Sequence, residues 1–210
     1  MQEALIWGAS GGIGSALVQV LKTAGWTVFG AARQEAQIPR EADHTHSFEA
    51  ANLRSIQGIP PLIAPESEGL DLVVYAAGAL RNGKLDAQSA EDWAVVMDSN
   101  LHGAFYAIQA SLPLLKPGGH VVVIGAYIDH LILPKMGAYA AAKAALDPLI
   151  GVLRREQRQM KFTIVRPGPV NTAFWAQAPF RLPQDAKPPV VVAEAILAHV
   201  VAGRTDDLNL

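Results

Sequence analysis

ALIWGASGGIGSALVQVLKTA runs from Ala4 to Ala24 and joins three patterns in order. Ala4 to Trp7 is a short apolar run that stops at Gly8, as a buried strand does. Ile13 to Ala24 places Ile13, Leu17, Val20, Leu21 and Ala24 at helical spacing, and Gly25 ends the pattern. Between them lies GASGGIG, Gly8 to Gly14. Gly8 permits a tight turn, and the Gly11–Gly12 pair lets backbone approach a pyrophosphate closely. Gly14 lets the helix pack on the strand. Backbone amides at the helix N-terminus, Ile13 among them, would then face phosphate oxygens. A glycine turn with a strand before it and a helix after it predicts a dinucleotide site. Its spacing is G-x-x-x-G-x-G from Gly8, not G-x-G-x-x-G.

Further along, apolar runs of strand length alternate with helical patterns. Thr27 to Ala31, Leu70 to Gly78, Val121 to Ile124 and Phe162 to Val165 read as strands. Residues 34 to 70 are polar and carry Pro39, Pro60, Pro61 and Pro65, so only a short strand near His46 and a short helix near Ala50 are expected. Ser89 followed by Asp92 has capping-box spacing and opens a helical region to about Leu115. Ala138 to about Gln159 is helical, with a bend at Pro148, which lacks a backbone donor. Val192 to Ala202 is a last helix capped by Gly203. Continuous apolar strands alternating with helices predict an α/β fold. It is a Rossmann-type, doubly wound parallel sheet with helices on both faces.

A length of 210 residues suits a single dinucleotide-binding domain over 1–210, with a Pro-rich surface loop near 173–191. Half the residues are hydrophobic, 17% are charged, and the net charge is −2 with both signs dispersed. No basic face for nucleic acid is indicated. There is no cysteine, hence no disulfide framework or thiolate metal site. Asp43, His44 and His46 are too few ligands for a metal, and a solvated strand end explains them. The N-terminus lacks a signal-peptide pattern, and no uncharged stretch approaches the ~20 residues that cross a bilayer. A soluble, cytoplasmic protein is the expectation.

With these motifs in hand, the chain resembles the short-chain dehydrogenase/reductase family. GASGGIG is similar to its cofactor loop. Ala76–Ala77–Gly78 resembles the N-A-G element after the fourth strand, with Ala76 where Asn is common. Asn100 matches the family's helical Asn, and Tyr139 and Lys143 match its Y-x-x-x-K pair. RPGPVNT, Arg166 to Thr172, resembles P-G-x-V-x-T. The motifs follow family order over residues 4 to 172. The resemblance implies an NAD(P)H-dependent oxidoreductase that moves hydride between a nicotinamide and a small carbonyl or alcohol. Tyr139 would be the acid/base. Lys143 would lower its pKa and bind ribose, and Asn100 would hold a water joining Lys143 to solvent. Gly8, Ser10, Gly11, Gly12, Ile13, Gly14, Ala77, Gly78, Pro167, Gly168, Val170 and Thr172 would line the cofactor. Physical chemistry supports the pair. Tyr and Lys four apart share a helix face, and a phenol with a free pKa near 10 needs roughly three units of depression to act as a base near neutrality. A nearby cation supplies depression; burial opposes it.

The family's catalytic Ser lies thirteen residues before the Tyr. Here that residue is Ala126, and no Ser or Thr occurs between Ser111 and Thr163. Losing one donor to a developing oxyanion costs about 10²–10³ in rate. Three readings stay open. Tyr127 or His130 substitutes as donor; the protein is a weakly catalytic NADP(H)-binding sensor; or the substrate forms no alkoxide. The last resembles the family's dihydropteridine-reductase branch, which carries Ala here and reduces a quinonoid or imine substrate. Gly125–Ala126 after the strand is similar to that branch.

The second strand ends in Ala32–Arg33 without a carboxylate. A guanidinium pairs well with a 2′-phosphate, so NADP(H) is favoured over NAD(H), with Ser10 in reach of that phosphate. Glu35 binding a ribose is the alternative. Phe174 and Trp175 follow the P-G segment and are candidate substrate-lid residues, and Ala126, Tyr127 and His130 are further candidates to line the substrate pocket. The resemblance also implies a homodimer or homotetramer through the helices around 90–115 and 139–158.

Overall fold

A computed structural model describes residues 1–210. Seven parallel strands form one sheet in the order β3-β2-β1-β4-β5-β6-β7. They are β1 (Glu3–Trp7), β2 (Thr27–Ala32), β3 (His44–Ser47), β4 (Leu70–Tyr75), β5 (Leu115–Ile124), β6 (Lys161–Arg166) and β7 (Leu208–Asn209). The order reverses between β1 and β4, so a crevice opens at the carboxyl ends of those two strands, where ligands bind in open α/β sheets.

Helices cover both faces, which is why the central strands carry no polar alternation. On one face α1 (Gly12–Thr23) packs against α8 (Pro189–Val201). Leu17, Val18 and Leu21 of α1, with Val192, Ala193 and Ile196 of α8, meet Ile6, Val74 and Val122 of the sheet. The other face is covered by α2 (Leu53–Gln57), α3 (Ile59–Ile63), α5 (Gly103–Ser111) and α7 (Leu146–Glu156). Ile56, Ile63, Ile108 and Ile150 meet Leu5, Phe29 and Val123 there. Each such side chain, fully buried, contributes about 1.5–3 kcal/mol.

Two helical regions depart from regularity. The region opened by Ser89 is α4 (Ala90–Met97), a π-helical turn at Asp98–His102, then α5. Ser89 is its N-cap, and its hydroxyl accepts from Asp92 N–H at 3.0 Å. The region bearing Tyr139 is α6 (Gly137–Ala144), followed after Ala145 by α7. Pro148 lacks the N–H that would otherwise reach the Ala144 carbonyl, so the break falls where the proline predicts it. The helix expected near Ala50 begins instead at Leu53, where the Asn52 side chain caps it by accepting from Ser55 N–H at 3.2 Å. Strand β5 starts at Leu115, earlier than Val121, through a register irregularity opposite Leu70 and Leu72. No helix is long and apolar enough to cross a membrane.

Candidate active site

In a parallel sheet all the strand carboxyl ends lie along one edge, and every site residue expected from the sequence follows one of them or sits on a helix packed beside it. The turn after β1 is Gly8 to Gly11. Gly8 adopts φ +89°, and a Cβ there would overlap the backbone of Ala77 after β4. A Cβ on Gly14 would strike the Gly8 carbonyl, and one on Gly12 would strike the Thr172 side chain. Gly8 N–H and Ala9 N–H both donate to Ala31 O, at 2.8 and 3.0 Å, and tie the turn to β2. The first α-helical bond is Ser15 N–H to Gly11 O, 2.7 Å. No side chain caps α1, so the amides of Gly12, Ile13 and Gly14 have no intrahelical acceptor. These open amides and the cradle that any Cβ would fill fit a dinucleotide pyrophosphate.

After β2, Arg33 is exposed and forms no ion pair. Glu35 is engaged elsewhere: its Oε1 accepts from the Thr45 hydroxyl of β3 at 2.6 Å. Ser10 is partly exposed on the phosphate turn.

Tyr139 and Lys143 occupy successive turns of α6. Lys143 is 5% exposed, and its Nζ donates to Ile124 O at the end of β5, 2.7 Å away. The same nitrogen lies 5.6 Å from the Tyr139 ring centroid. Burial lowers Lys143 to about 8 and pushes the Tyr139 phenol above its ordinary value. Asn100 lies within the π-helical turn, which packs against α6. It is 1% exposed; its Nδ2 donates to Ala79 O (2.7 Å) and Val96 O (2.8 Å). Its buried Oδ1 has no partner. Gly78 leaves the space before that oxygen open, since a Cβ there would lie 2.8 Å from it.

Ala126 is partly exposed just past β5. Tyr127 is not a free donor: its hydroxyl donates to Leu210 O at 3.3 Å. His130 is exposed on a 3₁₀ turn, its ring 5.3 Å from Tyr127. After β6, Pro167 and Val170 are buried, and Gly168 takes φ +65°. Phe174 lies over Tyr139 with ring centroids 5.2 Å apart. Trp175 Nε1 donates to Val170 O at 2.8 Å, fixing the segment that holds Phe174.

A second wall was not foreseen. The loop after β4 crosses to the far side of the site: Gly83 N–H donates to Lys135 O (3.1 Å), and Asn82 Nδ2 donates to Gln177 O (2.8 Å). Leu85 fills the place where Gly137 lacks a side chain. Only the turn-forming Asn82–Gly83 pair signals this loop in the sequence.

A family model described as short chain dehydrogenase matches residues 2–180. The chain belongs to the short-chain dehydrogenase family. Family members bind a nicotinamide cofactor and act as oxidoreductases. Among similar proteins, an uncharacterised oxidoreductase of Staphylococcus aureus is 27% identical over 207 residues, covering 92% of this chain and 88% of the relative. A 3-oxoacyl-[acyl-carrier-protein] reductase of Vibrio cholerae is 29% identical over 179 residues, 80% of this chain and 73% of the relative. The structure of an alcohol dehydrogenase from Thermococcus sibiricus, complexed with 5-hydroxy-NADP, superposes with TM-score 0.91 at 26% identity, covering 100% of this chain and 96% of that one.

Proposed function

We propose that this short-chain dehydrogenase is an NADP(H)-dependent reductase of small carbonyl compounds, with Tyr139 as the proton donor. The observation that carries the reading is the α6 pair: a buried ammonium held by the Ile124 carbonyl, one turn from a phenol, at the sheet edge that bears the glycine cradle. The cofactor supplies hydride. The chain supplies the rest. Gly8, Gly11, Gly12, Ile13 and Gly14 hold the pyrophosphate, and Arg33 with Ser10 takes a 2′-phosphate. Arg33 has no competing carboxylate and Glu35 is bound to Thr45, which supports NADP(H) over NAD(H). Ala77, Gly78, Pro167, Gly168, Val170 and Thr172 shape the remaining groove. Tyr139 gives its proton to the substrate, a task that burial favours by keeping the phenol protonated. Lys143 stabilises the phenolate left behind and binds ribose, and Asn100 connects Lys143 to solvent through its free Oδ1. Phe174 and Trp175 exclude water from above.

A second reading is favoured by Ala126. With Tyr127 committed to Leu210, the β5–α6 segment offers one further hydroxyl, that of Tyr139. A quinonoid or imine substrate that protonates on nitrogen needs no second donor to an alkoxide, as in the dihydropteridine-reductase branch. The weakly catalytic sensor is the remaining alternative. In each, a homodimer or homotetramer would cover the exposed Trp93, Phe105 and Val152 on α4, α5 and α7.

The test is NADPH oxidation across ketone, aldehyde, imine and quinonoid dihydropterin panels, with Tyr139→Phe and Ala126→Ser. Turnover that Tyr139→Phe abolishes at unchanged NADPH affinity supports the acid role. Faster carbonyl reduction in Ala126→Ser favours the sensor reading, and fast turnover indifferent to that change favours the nitrogen substrate. No turnover on any panel ends the enzyme reading.

A further inference from the structure

Tyr75 is a polar residue in an apolar place. It ends β4, is 1% exposed, and packs within the core among Trp7, Ala104 and Ala107. A phenylalanine would bury the same ring without desolvating a hydroxyl. What the hydroxyl adds is one bond, to Ser99 O at 2.8 Å. Ser99 belongs to the π-helical turn and immediately precedes Asn100.

The turn is built around that hydroxyl. Gly103 N–H donates to Asp98 O, five residues back, so one extra residue is accommodated in the helix. A Cβ on Gly103 would come 2.5 Å from the Tyr75 oxygen and 2.7 Å from Asp98 O. The missing side chain therefore makes the space the hydroxyl occupies. Asn100 sits inside this turn, and its side-chain amide reaches both Val96 O, four residues back, and Ala79 O. With both donors fixed, Oδ1 is held toward the gap at Gly78.

We propose that Tyr75 is a positioning residue: its buried hydroxyl pins the π-helical turn and so aims Asn100 at the proton path beside α6. This rests on the reading above in which Asn100 serves Lys143 and Tyr139. It goes beyond that reading by giving the helix register a cause outside the helix. A π turn inserted in an otherwise α-helical segment is held against the tendency to rewind, and a hydrogen bond from the neighbouring strand is what the structure provides.

Tyr75→Phe keeps the ring and removes the bond. Three readouts separate the outcomes. The first needs no turnover: hydrogen–deuterium exchange of the amides from 98 to 104, in the protein with and without NADPH. Faster exchange confined to that turn supports the proposal, and unchanged exchange overturns it. The second is the pH profile of kcat on whichever substrate the panels identify. Tyr75→Phe should lower kcat about tenfold and displace the alkaline limb, with the thermal midpoint and NADPH affinity changed little. The third is the double variant with Asn100→Ala. If Tyr75 acts through Asn100, the double variant is no slower than Asn100→Ala alone. Additive losses with an unmoved pH profile show a core residue only and overturn the proposal. A defect in Asn100→Ala with none in Tyr75→Phe overturns the proposal and leaves the proton path standing. An Asn100→Ala enzyme with wild-type rate and pH profile removes the proton path, and the positioning role with it.

Discussion

At the scale of single residues, Lys143 is the informative group. An ammonium 5% exposed is disfavoured against its neutral form, and burial brings it to about 8. The proposed chemistry needs it charged. Reduction should therefore be pH-independent below that value and lose rate as pH rises through about 8. Kinetics across the neutral to alkaline range check this. Lys143→Met should remove the limb along with most of the rate, by about 10² or more. Tyr139 is pushed the other way by the same burial, so a phenol still protonated at neutral pH is expected, readable by its ultraviolet titration against Tyr139→Phe. Ala126 shows the limit of single-residue reading. The missing hydroxyl was visible in the chain, but that the Tyr127 hydroxyl donates to a carbonyl was not. Its partner, the carbonyl of Leu210, lies at the other end of the sequence and has no side-chain code.

Among the elements, those with a periodic signature were legible and those without were not. Strands β1, β2, β4 and β6 are apolar runs and stand within a few residues of expectation. Helix α3 was not expected, because Pro60 and Pro61 look like breakers. They sit in its first turn, where a missing N–H costs nothing. The π-helical turn had no signal either, since five residues in a wider register leave no periodicity to detect. The site followed the same rule. Motif residues on β–α turns and on α6 were readable, while the wall made by Asn82, Gly83 and Leu85 depends on contacts between distant loops. One tie between elements invites a measurement. Trp7 of β1 donates through its indole N–H to the Ser111 hydroxyl at the end of α5, 3.1 Å, inside the core. Ser111→Ala strands that N–H and should cost about 1–3 kcal/mol in urea unfolding, with Ser111→Thr costing less and cofactor affinity unaffected by either.

For the whole molecule, the two ends of the sheet have separate tasks. The carboxyl edge gathers the site. The opposite edge is joined by His120 on β5, Thr163 on β6 and His199 on α8: Thr163 Oγ1 lies 2.9 Å from His120 Nε2 and 3.3 Å from His199 Nε2. Burial, then the nearby His199, Lys161 and Arg154, hold His120 at about 4, below the roughly 6.5 of a free imidazole. The unfolded chain takes up a proton there that the folded one resists. Stability from this residue is therefore complete above about 6.5 and falls as pH drops toward 4, by up to roughly 3 kcal/mol. Chemical denaturation at neutral and mildly acidic pH should show this slope, and His120→Gln should flatten it.

The contact between Gly8 and Ala77 also sets an order of events. Gly8 is made well before β4, yet its left-handed turn is packed against backbone that follows β4. A nascent chain that has emerged only as far as β2 carries the entire glycine signature with nothing for it to lean on. The phosphate cradle is thus written early and completed late, and a fragment that stops before β4 would inherit the motif without the grip.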